Sequence, residues 1–223
     1  MPNIWASLNV PFIHFLLQFF PNSNQQTWQV KDRFLEINSR WLTLIGEHLQ
    51  NDRGEILEYW RIEKADSVIV LAIQGDRILL PKPSYRAGID QTTLDFSGGR
   101  VIAGQNPQLA AIATLKRELG IEASAIVQLI PLNTEGWAVN SSFSNQKLYG
   151  FVAYIEKMTK LNYELVAVTY PLTSDGVQKL LEEITCLQCR AMLLEWILLN
   201  QRWQTSTTAQ NSEQFASGIV PDA

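Results

Sequence analysis

Three places in the chain combine residue types that can do chemistry. The first is Lys116-Arg117-Glu118, in the last turn of a helix delimited by Asn106, Pro107 and Gly120. Magnesium is bound by hard carboxylate oxygens, and one carboxylate with a cation beside it makes a poor site for it. The same pair suits an anion better, because a guanidinium meets phosphate oxygens two at a time. Arg86 is a second cation of this kind. The plainer reading of Lys116 and Arg117 is a solvated helix end favoured by the macrodipole. The second place is Cys186-Leu187-Gln188-Cys189, a C-x-x-C at the start of the last helix, where the helix N-terminus favours thiolate. It reads either as a redox pair or as two small buried residues. These are the only cysteines, so a structural zinc would take two copies of the chain. The third is a set of aromatic residues, Trp60, Tyr85 and Trp137, suited to stacking on a base or to ordinary packing.

These residues must be held by regular elements. Phe34–Leu49 reads as strand, with Trp41–Ile45 its best part, and Asn51-Asp52-Arg53-Gly54 turns it into a second strand over Glu55–Glu63. Ser67–Ile73 is a continuous apolar run, as a strand buried on both faces requires. Further strands are expected at Arg77–Leu80, Leu94–Phe96, Ile126–Ile130, Leu148–Ile155 and Leu165–Tyr170. Asn106 as cap, Pro107 as first residue and Gly120 as terminator bound the middle helix. Ser174–Glu183 and Cys186–Arg202 complete the helices. Strands flanked by a middle helix and terminal helices predict an α/β/α sandwich with a mixed sheet.

Composition removes several classes of function. With 46% hydrophobic residues and seven tryptophans the chain can build a core. Its net charge of −4 offers no footprint for nucleic acid. His14 and His48 are far apart in sequence, which disfavours a histidine zinc site, and two cysteines exclude a disulfide scaffold and point to a reducing, cytoplasmic setting. Residues 1–30 form an uncharged aromatic extension and linker, 31–203 the domain, and 204–223 a polar, flexible tail. Ile4–Phe20 is too short and too interrupted to span a bilayer. It is expected to pack on its own domain or on a second copy in a homodimer, with peripheral membrane contact through Trp5, Phe12, Phe15, Phe19 and Phe20 as the other reading.

The stretch Gly99–Ile121, GRVIAGQNPQLAAIATLKRELGI, resembles the loop–helix–loop of the Nudix hydrolases, G-x5-E-x7-R-E-U-x-E-E-x-G-U. Gly99, Leu115, Gly120 and Ile121 fall on its scaffold positions. Leu94–Val101, Tyr85-Arg86 and Glu183-Ile184-Thr185 are similar to L-E-L-P-A-G-K-V, Q-Y-R and the E-I-T of G-E-I-T-D in the ADP-ribose pyrophosphatase branch. The resemblance covers roughly Phe34–Trp203 and implies a magnesium-dependent pyrophosphohydrolase. Its chemistry is eroded here. The family's glutamates fall on Gln105, Thr114 and Arg117, its arginine falls on Ala113, and only Glu118 remains. A loop acidic pair of that branch is replaced by Asn145-Gln146. The expectation is an impaired relative with no required cofactor. It binds a nucleotide diphosphate through Tyr85, Arg86, Gly99, Arg117 and Trp137, or binds a protein partner, as sensor or scaffold. The alternative is an active hydrolase that holds Mg2+ with recruited carboxylates: Glu118, Asp95, and Glu164, which lies where the family places a loop glutamate.

Overall fold

The computed structural model describes residues 28–200. Ile4–Phe20 and the tail 204–223 lie outside these described residues. Two compact units are present: Leu44–Arg61 with the described residues up to Asn38, and Ser39–Thr43 with the residues from Ile62 onward.

The smaller unit is built on a three-stranded sheet in the order β1 (Gln29–Asn38), β2 (Leu42–Gln50), β3 (Ile56–Lys64). The single strand expected over Phe34–Leu49 is broken at Ser39. Its Oγ accepts the N–H groups of Trp41 and Leu42, each at 3.1 Å, a local turn that competes with the strand ladder. The hairpin at Asn51–Gly54 forms as expected, with Asn51 Oδ1 accepting the N–H groups of Arg53 and Glu55 and Gly54 at φ 79°. Glu47 is buried to 1% exposure. Arg61 and Arg33 both donate to it and hold its carboxyl below the ordinary carboxylate value, Arg61 most strongly. Phe34 packs edge-on to Trp60 with ring centres 5.3 Å apart.

The larger unit is the expected α/β/α sandwich. Its mixed sheet runs β10 (Trp137–Ala138), β11 (Lys147–Ile155), β4 (Ser67–Gln74), β5 (Arg77–Pro81), β12 (Val166–Pro171). β11 and β4 run parallel over their full paired length, whereas β4 pairs antiparallel with both β5 and β8 (Ser97–Arg100). β9 (Ile126–Pro131) pairs with β11. Alternation along β4 separates two cores. Val68, Val70 and Ala72 pack with Ala111, Leu115 and Leu119 of α1 (Pro107–Leu119), and Ile69, Leu71 and Ile73 pack with Leu180 of α2 (Ser174–Glu183) and with Met192 and Leu193. The last two lie on α3, helical at residues 187–200. No helix among the described residues is long and apolar enough to cross a membrane.

Helix α1 has the expected ends. Asn106 Oδ1 accepts from Gln108 N at 2.8 Å, and Gly120 terminates the helix at φ 67°, a left-handed conformation in which a side chain is strained. The strand expected at Leu94–Phe96 does not form. Instead β6 (Ser84–Arg86) pairs with β7 (Gln91–Thr93), and residues 94–96 are a connector to β8. Phe96 N–H donates to the Cys189 sulfur at 3.4 Å rather than to a neighbouring strand. The Leu94 and Phe96 side chains are buried against α3 and the sheet.

Candidate functional site

The sheet divides at β4, whose first half pairs with β8 and whose second half pairs with β5. An open cavity of about 730 Å³ lies at the first half, walled by β8, the connector 94–96, the end of α1 and the start of α3. A recess of about 250 Å³ shares Arg86, Asp95 and Glu118 with it and adds Lys82, Arg117 and Glu164.

On the α1 wall the positions singled out from the sequence have defined neighbours. Thr114 is 1% exposed and lies against Gly99, where a Cβ would come within 2.1 Å of Thr114 Oγ1. Gly99 is therefore required by close approach of β8 to α1. One turn on, Glu118 Oε2 accepts the Gly98 N–H at 2.9 Å, and its Oε1 lies 2.9 Å from Arg117 Nη2. The same Nη2 donates to the Gly98 carbonyl at 2.9 Å. Arg117 thus sits as a cation between a backbone carbonyl and the Glu118 carboxylate. Gln105 is used locally, accepting the Ile102 N–H, and Ala113 is exposed on the helix surface.

On the other wall, Asp95 Oδ2 accepts from Arg86 Nε at 2.8 Å and from Thr93 Oγ1 at 3.0 Å, while Oδ1 is buried without a hydrogen-bond partner. Arg190 donates to the Ile184 carbonyl at 3.1 Å, and the Cys186 carbonyl accepts the Arg190 N–H at 3.0 Å, so Cys186 caps α3. Hydrogen bonding from Cys189, with backbone N–H groups at the helix start, lowers the Cys186 thiol to about 6. Its partner Cys189 is pushed up, first by that same bond and then by burial.

The residues singled out from the sequence divide by position. Arg86, Gly99 and Glu118 line the cavity, and Arg117 and Glu164 line the adjoining recess. Glu164 is 89% exposed and is 3.8 Å from Lys82 Nζ. Tyr85 lies outside both linings, on the β6–β7 hairpin, with its hydroxyl donating to Asp90 Oδ1 at 2.6 Å. Trp137 packs against the core on the α3 side. Trp60 packs on Phe34 in the smaller unit. Sequence reasoning missed Trp41, which lines the cavity with the Arg40 and Arg100 guanidinium groups against its ring at 4.5 and 4.7 Å. Gln146, nearly buried, donates to the Ala65 carbonyl at 3.0 Å and so holds the start of β4. Asn145 accepts the Lys64 N–H nearby, which gives the neutral N-Q pair a structural use.

The structure is similar to a solved structure of an ADP compounds hydrolase, with a TM-score of 0.61 and 22% identity over 82% of this chain and 96% of that one. The chain has a Nudix-like fold. At that identity the likeness speaks for the fold alone. No protein-family model and no curated protein matches the sequence.

Proposed function

We infer that the chain is a catalytically impaired Nudix-fold protein of the ADP-ribose pyrophosphatase kind. It binds a nucleotide diphosphate in the cavity beside Gly99 and does not cleave it, serving as a sensor or scaffold. The observation that carries this reading is the Arg117–Glu118 pair. A guanidinium already neutralises the remaining helix carboxylate, where a hydrolase of this kind would use magnesium to neutralise both that carboxylate and the diphosphate. Thr114 offers a buried hydroxyl at a second ligand position. Arg86 and Arg117 are both half exposed or more, and each guanidinium has five N–H donors, more than its contacts to Asp95, Glu118 and Gly98 use. Trp41 with its two arginines adds an aromatic and cationic rim suited to a base or ribose.

A second reading, an active hydrolase with recruited ligands, is favoured by one observation: Asp95, Glu118 and Glu164 line the same recess. Each of them faces a cation, however, namely Arg86, Arg117 and Lys82. The two readings separate in a turnover assay with ADP-ribose and magnesium. The first gives no hydrolysis above background, and a rate of ~1 s⁻¹ or more, within the ordinary enzyme range, would sink it.

A further inference from the structure

We propose that Asp95, Cys186 and Cys189 form a zinc-binding site within a single chain, with its remaining coordination position facing the cavity. A carboxylate oxygen of Asp95 and the two sulfurs lie within 4.8 Å of one another. Around a tetrahedral zinc, with Zn–S of ~2.3 Å and Zn–O of ~2.0–2.2 Å, such atoms stand roughly 3.5–4 Å apart. The three groups need only a small contraction to meet that geometry. Cys-x-x-Cys at a helix start is a usual source of two zinc ligands, and one thiolate pair with one carboxylate is a donor set suited to this borderline metal rather than to magnesium.

Three features beyond the cluster itself support the site. Asp95 Oδ1 is a buried carboxylate oxygen with no hydrogen-bond partner, which is costly unless a cation or donor meets it. A disulfide between the cysteines would leave that oxygen as it is, whereas a bound ion explains all three groups together. The outer partners are also in place, as metal sites require. Asp95 Oδ2 is fixed by Arg86 and Thr93, and Cys189 accepts the Phe96 N–H. Two thiolates and a carboxylate around Zn2+ carry one net negative charge, which Arg86 offsets. All three ligands and Arg86 line the cavity. With three protein ligands, zinc keeps a fourth position for water or an anionic oxygen, and that position opens beside Arg86 and Glu118. The inference does not rest on the nucleotide reading.

The test is metal loading of the reduced full chain, purified without added metal and titrated with Zn2+ against a chromogenic chelator and, separately, with Co2+. One zinc per chain is expected. Co2+ should give the intense d–d bands of a tetrahedral site together with thiolate charge-transfer absorption, and bound zinc should protect both cysteines from alkylation. Asp95→Asn, nearly isosteric, should weaken zinc at least tenfold, and Cys186→Ser should abolish the charge-transfer pattern of two thiolates. The cobalt spectrum of the unaltered chain stands even if a variant fails to fold. Absence of zinc binding by the reduced chain overturns the proposal. So does half a zinc per chain, which signifies two copies pooling their cysteines, or unchanged affinity in a folded Asp95→Asn protein.

Discussion

The two walls of the cavity handle charge in opposite ways. On the α1 wall the polar groups meet the chain itself: Thr114 lies against Gly99, and Arg117 bonds Glu118 and the Gly98 carbonyl. On the α3 wall one oxygen of Asp95 is satisfied by Arg86, while the other is buried without a donor, and the carboxylate lies beside two thiols. Glu47 in the smaller unit shows what a purely structural carboxylate looks like in this chain. It is almost fully buried, and Arg33 and Arg61 engage both of its oxygens. By that standard both oxygens of Glu118 are satisfied, and one oxygen of Asp95 is not. A carboxylate whose partners are all internal holds a fold together, and one left half satisfied at a cavity marks a place for something to bind.

The largest effect is expected at Gly99. An added methyl would lie 2.1 Å from Thr114 Oγ1, a short side chain in a buried helix position that has little freedom to move. Gly99→Ala should therefore cost about 2 kcal/mol through overpacking, a fall of roughly 4–8 °C in Tm for a domain of this size. Adding Thr114→Ala removes the obstructing oxygen and should restore much of the loss. Thermal melting of the two single variants and the double variant measures this coupling, and strict additivity would show that Gly99 and Thr114 do not meet in the way described.

Glu118→Gln comes next in size. Arg117 loses its ionic partner, but both side chains are partly exposed, so stability should change by no more than about 1 kcal/mol. Freed from competition, Arg117 should then bind ADP-ribose about threefold more tightly without magnesium, roughly 0.7 kcal/mol. Weaker binding would mean that Glu118 itself contacts the ligand. The smallest effect belongs to Glu164→Gln. This residue is 89% exposed and only loosely paired with Lys82, so stability should stay within about 0.5 kcal/mol and binding should be unaltered. A marked loss of either binding or turnover on this substitution would favour the recruited-ligand reading.

The α1 wall was largely legible in the sequence, because its determinants are local. Asn106, Pro107 and Gly120 bound α1 at their own positions, and the alignment of Gly99 with Thr114 and Arg117 follows from one loop and one helix. The continuous apolar run of β4 likewise announced burial on both faces. The other wall depends on contacts that no short window contains. Asp95 meets Cys186 and Cys189 only because the connector 94–96 leaves the sheet and packs on α3, with Phe96 donating to a sulfur. Leu94 and Phe96 alternate around Asp95 as a strand would, so the pattern suggested a strand where side-chain packing produced a connector. Trp41 escaped notice for a similar reason. It read as the body of a long strand, whereas the Ser39 turn places it beside Arg100, far along the chain.

If Arg117 takes the place of a metal cation beside Glu118, calorimetric titration with ADP-ribose will show it. The unaltered protein should bind equally well with and without magnesium, and affinity should fall as salt is raised, because part of the attraction is screened charge. Arg117→Ala should weaken metal-free binding about tenfold, roughly 1.4 kcal/mol, while Lys116→Ala, one residue away and paired with Glu122 at 3.0 Å, should leave it unchanged. Binding that appears only when magnesium is present, or that survives Arg117→Ala at full strength, would contradict the account.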